Sequence, residues 1–458
     1  MKHLTQLVAL AAAVQVVGCG APTLEPPSSI AGEIRARTGV EPAWASAAAP
    51  TAQSLVDAAA TPLPSPLGES DAVALALSAS PEIARLLAET AALRAEALDD
   101  ASPMNPTLEL ASAIPLGAMN AVPVLAMVAT QIDELWKQPI RSEIARDAYE
   151  AALLSLASEA VLLSVEARAR WHEIALREDE ARLANEDATH LDRLLAMTRE
   201  RFEAGEASQD DVTKAIRNSA QAHRARSTAQ QMNTDTRLAL MGLLGHAEAP
   251  VEWQLGLDDE ASRHALGGEL SDERVLVDQL SRSRLDVRAA VARAKAAKSR
   301  LTLATASRLR GVQVGAGWER DMEGADGVAF SAVIELPIFN TGSHRIAKAY
   351  AEWQAAEIAA ETTRQQAITQ VRQALAKANA SQSQHQVAHE GTLSPTASSL
   401  LRAKARHESG EGAAREVVEA QHEYSLAALE LNMLERTRRQ SRLELLKATG
   451  FLVAEIPQ

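Results

Sequence analysis

The chain of 458 residues contains one cysteine, Cys19, and only 3% aromatic residues. A single cysteine excludes disulfides within one chain and zinc sites built from several cysteines. The scarcity of aromatic residues, together with a 47% hydrophobic share that is largely alanine, is typical of long, closely packed helices. The composition therefore favours extended helical packing over one thick globular core.

Several functional classes are also missing from the sequence. A net charge of −14 and a pI near 5.4 argue against nucleic-acid binding. There is no phosphate-binding loop, dinucleotide-binding turn, HExxH motif or nucleophile motif, so we expect no enzyme, no cofactor and no metal. His385 and His389, spaced i, i+4, could form a metal pair, but their polar neighbours favour an ordinary exposed face. After the N-terminus no run of 18 apolar residues occurs, so no transmembrane helix is predicted.

The N-terminus has the features of a bacterial lipoprotein signal. Lys2 and His3 precede an apolar run over 4–17 that is too short to span a bilayer but suits a signal-peptide core. The run ends in Val-Val-Gly before Cys19, a string that resembles a lipobox. We therefore expect a signal peptide over 1–18 and lipidation of Cys19, which would anchor the chain stably. An ordinary signal with an incidental cysteine is the alternative. Gly20, in place of Asp, resembles lipoproteins sent to the outer membrane of Gram-negative bacteria.

Residues 19–67 are rich in proline, alanine and serine. Such a composition buries too little apolar surface to fold alone. This segment is predicted to be an extended tether or a wrapping arm.

The chain contains an internal repeat: a segment that begins near Leu195 recurs 205 residues later, where Leu400 aligns with Leu195. The same offset superimposes both Gly-Glu pairs and both later glycines without a gap: Gly205-Glu206 on Gly410-Glu411, and Gly245 on Gly450. A fixed period means that each copy is one structural unit. We assign a first repeat to 68–245, an equatorial linker to 246–270, a second repeat to 271–450 and a C-terminal tail to 451–458.

Helices dominate both repeats. Residues 139–204 carry no glycine and no proline after Pro139, and small or apolar residues recur every seven positions, at Ala160, Ala167, Ile174, Ala181, Ala188, Leu195 and Phe202. This spacing predicts a long supercoiled helix. Its counterpart spans about 344–408, interrupted at Gly391 and Pro395. Each long helix is predicted to turn at its Gly-Glu pair and return as a second helix, over 209–244 or 413–449.

Two pairs of strands are predicted before the long helices. Residues 310–318 and 328–336 alternate apolar and polar side chains, and 107–114 and 122–132 do so less regularly. Period two with one apolar face is typical of membrane β-hairpins. A soluble strand pair that caps a helical bundle is the alternative. Four strands cannot close a barrel, so strands in the membrane require oligomerisation, and three copies would supply twelve strands.

Five short motifs follow one another along the chain: Ser80-Pro81-Glu82-Ile83, Asn105-Pro106-Thr107-Leu108, Arg201-Phe202-Glu203-Ala204-Gly205-Glu206-Ala207-Ser208, Arg284-Leu285-Asp286-Val287-Arg288 and Glu335-Leu336-Pro337-Ile338-Phe339-Asn340-Thr341-Gly342. In this order they resemble the motifs of the TolC-type outer-membrane efflux channels. Asn105-Pro106 with 131–135 is most similar to the subgroup that serves heavy-metal exporters. The chain departs from the family at 136–139, where a glycine pair is usual, and at the second tip, which has an extra glycine and no Ser or Thr.

The resemblance implies a mainly α fold with a small β part. Two tandem repeats of helix, β-hairpin, long helix and helix would trimerise into a 12-stranded membrane barrel on a long periplasmic α-helical barrel. The implied function is passive conduction across the outer membrane, with a periplasmic adaptor and an inner-membrane pump as partners. A periplasmic coiled-coil adaptor or an envelope scaffold lipoprotein is the alternative. The sequence determines neither the cargo nor the class of pump.

The resemblance also assigns site residues at the two tips. The pore constriction would be lined by Glu416, Glu419, Asp211 and Lys214, and three copies of the two glutamates would favour cations. The alternative is solvated charges near a helix N-terminus, where acidic residues are favoured anyway. Adaptor docking would use Arg201, Glu203, Gly205, Ser208, Arg406, Glu408 and Gly410. A purely structural role in the tight turn is the alternative for both glycines.

Overall fold

A computed structural model describes residues 23–46, 51–112, 121–256, 273–277, 283–308, 311–335, 338 and 340–450. The expected signal peptide, Cys19 and the C-terminal tail lie outside these residues. The chain divides into two compact units. Unit 1 comprises Met1–Pro27, Ala88–Leu156 and Leu285–Arg364, and unit 2 comprises Ser28–Leu87, Ala157–Arg284 and Gln365–Gln458.

Helices make up most of the described chain, which confirms the expected mainly α class. In chain order the helices and strands are α1 (Ala31–Thr38), α2 (Ala52–Ala59), α3 (Glu69–Ala79), α4 (Pro81–Ala101), β1 (Thr107–Ser112), β2 (Val124–Gln131), α5 (Glu134–Glu203), α6 (Gln209–Leu243), α7 (Leu285–Ala306), β3 (Gln313–Arg320), β4 (Asp326–Val333), α8 (Ser343–Ala388), α9 (Ser394–Glu408) and α10 (Ala414–Thr449). Short 3-10 turns cover Pro27–Ile30 and Ala43–Ala45, a helical turn covers Glu273–Val275, and a π-helical turn, His389–Leu393, joins α8 to α9.

Unit 1 contains one antiparallel sheet of four strands in the order β1-β2-β3-β4. The strands are shorter or shifted relative to the predicted ranges, and residues 113–120 of the first hairpin lie outside the described chain. Within the described residues β1 and β4 each pair on one side only. The sheet is therefore open at both edges.

The two faces of this sheet differ in polarity. The strand register places these residues on one face: Leu108, Leu110, Val128, Val314, Trp318, Val328 and Phe330. Phe330 is 80% exposed and Leu110 is 70% exposed on that face. The opposite face carries Glu109, Gln131, Gln313, Glu319 and Ser331. Alternation of this kind is typical of a strand with a lipid side and a water side.

Two glycines in β3 allow a close approach to β2 on the polar face. A Cβ added at Gly317 would lie 2.1 Å from the carbonyl oxygen of Ala126 and 2.6 Å from the Cα of Met127. At Gly315 an added Cβ would lie 2.7 Å from the sulfur of Met127. Only glycine fits these positions without a shift of the neighbouring strand.

The joint between β2 and α5 is fixed by a buried carboxylate. Asp133, which is 1% exposed, accepts a hydrogen bond of 3.1 Å from the backbone N–H of Gly311 and pairs with Lys137. Helix α5 begins at Glu134, five residues before the predicted start, and includes Pro139 near its N-terminus. Because this contact joins the segments before α5 and β3, it connects the two repeats within unit 1.

The described part of the N-terminal segment packs against the rest of unit 2. Ile34 is fully buried, and the indole of Trp44 donates a hydrogen bond of 2.9 Å to the carbonyl of Leu77. The Arg37 guanidinium donates to the carbonyls of Gly450 at 3.1 Å and Ser283 at 3.0 Å. Of the two alternatives from the sequence, these residues have the contacts of a wrapping arm.

Small and apolar residues form the contacts between the long helices of unit 2. Along α5, Ala160, Ala167 and Ile174 are fully buried and Ala188 is 1% exposed, as the seven-residue spacing predicts. Phe202, at the end of the series, is instead 42% exposed. One part of α5 contains a stretch long and apolar enough to cross a membrane, but 56% of that stretch is buried as in a core helix.

Polar pairs cross two of these helix contacts. Between α5 and α10, the His422 Nδ1 lies 2.5 Å from the Asp187 carboxylate. Between α5 and α6, the Asp192 carboxylate accepts from Ser219 at 2.7 Å and lies 3.0 Å from a ring nitrogen of His223. The hydrogen bond to Asp187 raises the pKa of His422, whereas burial lowers the pKa of the adjacent His190.

Two matched glycine substitutions test the close approach of β2 and β3. Gly317→Ala places a methyl group against the Ala126 carbonyl, and overpacking of this kind costs about 1–3 kcal/mol. We expect a lower free energy of unfolding than in the native protein, measured by denaturant unfolding. Gly327→Ala is the control, because its Cβ would come no closer than 3.5 Å to the Glu319 side chain. Equal free energies of unfolding for the two variants would contradict the close approach.

The pair between His422 and Asp187 predicts a pH-dependent contribution to stability. Since the folded-state pKa of His422 is raised, its stabilisation is fully present below the unfolded pKa and is lost as the pH rises through the folded value. The facing titratable groups are Asp187 and His190 on α5 and Glu423 on α10. We expect His422→Gln to destabilise the protein by about 1–2 kcal/mol at pH 6 and by less at pH 9.

The measurement is thermal or denaturant unfolding of both proteins across this pH range. The control variant is His344→Gln, at the exposed start of α8, which removes a histidine remote in sequence from the pair. A constant difference for His422→Gln would show that the pair contributes no pH-linked stability.

Candidate functional site: the two helix-hairpin tips

The first tip is a tight turn between α5 and α6. Gly205 has a φ of 78°, a left-handed conformation that favours glycine. The backbone N–H of Glu206 donates to the Arg201 carbonyl at 2.7 Å, which closes the last turn of α5. Helix α6 then begins with a capping box, in which the Asp211 N–H donates to the Ser208 hydroxyl at 3.2 Å and the Ser208 N–H donates to the Asp211 carboxylate at 2.9 Å.

The second tip has the same turn but a different helix start. Gly410 has a φ of 80°, and the N–H of Glu411 donates to the Arg406 carbonyl at 2.9 Å. The extra glycine, Gly412, donates a second hydrogen bond of 2.9 Å to that carbonyl. Ala413 occupies the capping position and offers no side-chain hydrogen bond to α10. The repeated sequence therefore produces one turn geometry with two different caps.

The acidic residues assigned to the pore constriction have different partners at the two tips. The hydrogen bonds from the Ser208 backbone and hydroxyl lower the pKa of Asp211, and the nearby Arg201 and Arg415 lower it further. Glu416 lies 3.1 Å from the Arg406 guanidinium, and Glu419 lies 2.7 Å from that of Arg415.

The structure exposes most of the residues assigned to the tips. Arg201 is partly exposed, and the other residues assigned to adaptor docking are exposed: Glu203, Gly205, Ser208, Arg406, Glu408 and Gly410. Asp211, Lys214 and Glu416 are exposed and Glu419 is partly exposed. Cys19 lies outside the described residues. All of the described tip residues belong to unit 2.

Sequence reasoning missed the arginine partners and the histidine pairs near the tips. Arg415 and Glu419 are spaced i, i+4 on one helix, so their contact could have been predicted from the sequence. His422 and Asp187 are separated by 235 residues, and only the packing of α10 against α5 brings them together.

Comparison with known proteins gives one family match and several solved structures of similar fold. The family model of outer membrane efflux proteins matches residues 276–451. No curated protein sequence matches the chain significantly. Among solved structures, CusC shares 19% identity, with 83% of this chain and 91% of that chain covered and a TM-score of 0.67.

Two further solved structures have the same fold. The outer membrane protein VceC of Vibrio cholerae shares 18% identity, with 84% of this chain and 96% of that chain covered and a TM-score of 0.65. The outer membrane channel CmeC of Campylobacter jejuni shares 15% identity, with 83% and 85% covered and a TM-score of 0.66.

These matches confirm the resemblance inferred from the sequence. The family model lies over the second repeat, and the solved structures share the course of the backbone over most of the chain. Residues 276–451 are therefore similar to the outer membrane efflux proteins, and the chain has the fold of CusC, VceC and CmeC.

Proposed function

We propose that this chain is the channel subunit of a tripartite efflux system, which conducts cargo passively across the outer membrane of a Gram-negative bacterium. The observation that carries the proposal is the open four-stranded sheet of unit 1, with one exposed apolar face and two free edges. The family match over 276–451 supports the same function. A periplasmic adaptor or scaffold would expose this apolar face to water, which is unfavourable.

Three copies would close this sheet into a barrel. Each unpaired backbone group at an edge costs several kcal/mol in hydrocarbon, so β4 of one copy would pair with β1 of the next. Three sheets of four strands supply the twelve strands of a roomy barrel. Exposed apolar side chains in unit 2 support further packing between copies, on α6 at Ile216 and Met232 and on α8 and α9 at Val387 and Leu401.

A lipid on Cys19 fits the path of the described N-terminal residues in unit 1. The Arg94 guanidinium donates two hydrogen bonds, of 3.0 and 2.7 Å, to the carbonyl of Leu24. The five residues back to Cys19 span at most about 17 Å. Arg94 lies about 10 Å along α4 from its end at Ala101, where the chain leads into β1. A lipid on Cys19 would therefore be within reach of the end of α4 that leads into the sheet.

The helix tips are the proposed contact with the pump–adaptor complex. Arg201, Glu203, Gly205 and Ser208 would form the first docking surface, and Arg406, Glu408 and Gly410 the second. Their exposure and the matched turns support this assignment. Glu416, Glu419, Asp211 and Lys214 would surround the constriction of the trimer.

The channel function is tested with the purified full-length protein. We expect a trimer in detergent and discrete conductance steps in planar lipid bilayers. A stable monomer without conductance would overturn the proposal. After Cys19→Ser a channel should still require detergent for extraction, because its strands remain in the membrane, whereas an adaptor or scaffold should become soluble.

The glutamates at the constriction are tested by ion selectivity. The variant Glu416→Gln/Glu419→Gln removes two negative charges from each copy, and we expect the cation-to-anion permeability ratio to fall by about threefold or more. Reversal potentials in a salt gradient measure this ratio. An unchanged ratio in a conducting variant would remove these residues from the pore.

A further inference from the structure

Arginines partner both glutamates assigned to the constriction. Arg406 reaches Glu416 from the end of α9, with 3.1 Å between a guanidinium nitrogen and a carboxylate oxygen. Arg415 reaches Glu419 one turn along α10, at 2.7 Å. All four side chains are roughly half exposed. Both glutamates assigned to the constriction therefore have a cation of the same copy at contact distance.

The difference between the two caps explains why Glu416 is available to Arg406. In the first repeat the equivalent carboxylate, Asp211, is held by the N–H and hydroxyl of Ser208. Its arginine, Arg201, donates instead to the Glu206 carbonyl at 3.1 Å. In the second repeat Ala413 replaces the serine, so Glu416 has no capping partner and pairs with the arginine.

Arg415 also acts between the two tips of unit 2. Its charge helps to lower the pKa of Asp211, which belongs to the other repeat. At the equivalent position the first repeat has Asp210. At the four equivalent positions, each repeat carries two cations and two anions. They are Arg201, Asp210, Asp211 and Lys214 in the first repeat, and Arg406, Arg415, Glu416 and Glu419 in the second.

We propose that Arg406 and Arg415 set the ion selectivity of the constriction by balancing the charge of Glu416 and Glu419. Exposed ion pairs contribute little stability, so the pairs need not stay closed. Their charges nevertheless remain within a Debye length of about 8 Å of each other, and a passing ion experiences their sum. The two arginines should therefore weaken the preference of the native channel for cations.

This inference rests on the proposed channel function and on the placement of the glutamates at the pore. It is tested with Arg406→Gln/Arg415→Gln in the full-length trimer, by reversal potentials in potassium chloride gradients. We expect the cation-to-anion permeability ratio to rise about threefold or more, because the glutamates lose their counter-charges. The single variant Arg415→Gln should give a smaller rise in the same direction.

A combined variant separates charge balance from other effects of substitution. The quadruple variant, with Arg406, Arg415, Glu416 and Glu419 all changed to Gln, should return to the native permeability ratio. Arg364→Gln is the matched control, since Arg364 forms an exposed pair of 2.7 Å with Glu361 at a site remote in sequence from both tips. It should leave the ratio unchanged.

The outcomes distinguish this inference from the proposed function. Strong cation selectivity of the native channel, unaltered by the arginine substitutions, would overturn the charge balance but leave the channel intact. A ratio changed as much by Arg364→Gln as by the tip variants would also overturn it. Absence of any conductance in the native protein would instead contradict the channel function itself.

Discussion

A strand edge in hydrocarbon has no water to satisfy its backbone groups, and the proposed channel depends on this constraint. On the apolar face of the sheet in unit 1, Leu108, Leu110 and Phe330 are exposed within the described chain. In the proposed channel this face would lie against lipid, and both open edges would pair with strands of other copies. The glycines of β3 contribute to the same arrangement, because they bring β2 close on the polar face.

The helices of unit 2 pack through small residues and polar pairs. A long helix with a wide apolar face would collapse onto its neighbours in one thick core. Alanine at Ala160, Ala167 and Ala188 lets helices approach closely with little bulk, and polar pairs such as Asp187 with His422 fix which helices meet. The contacts between these helices are therefore narrow and specific.

Much of this organisation follows from the sequence. Residue spacing predicts α5 and the buried series along it, the alternation of side chains predicts four strands, and Gly205 and Gly410 predict the two turns. The predicted strand ends were less accurate, because strand pairing rather than residue propensity determines where a strand ends. The second hairpin was predicted at 310–318 and 328–336, whereas its strands are Gln313–Arg320 and Asp326–Val333. The start of α5 was misplaced because Pro139 suggested a boundary, whereas the helix begins at Glu134 and includes this proline. The partners of the tip glutamates and of Asp187 depend on packing, which composition and periodicity do not report.

The π-helical turn, His389–Leu393, has a consequence for the second tip. It accommodates one more residue than a regular turn, and the Ser394 hydroxyl donates back to the His389 carbonyl at 2.9 Å. The side chains of α9 are therefore rotated about the helix axis relative to the positions that a continuous α8 would give them. Deleting one residue in this turn would rotate α9 by roughly 100° about its axis relative to α8, so the register of the second tip against α8 depends on this one extra residue.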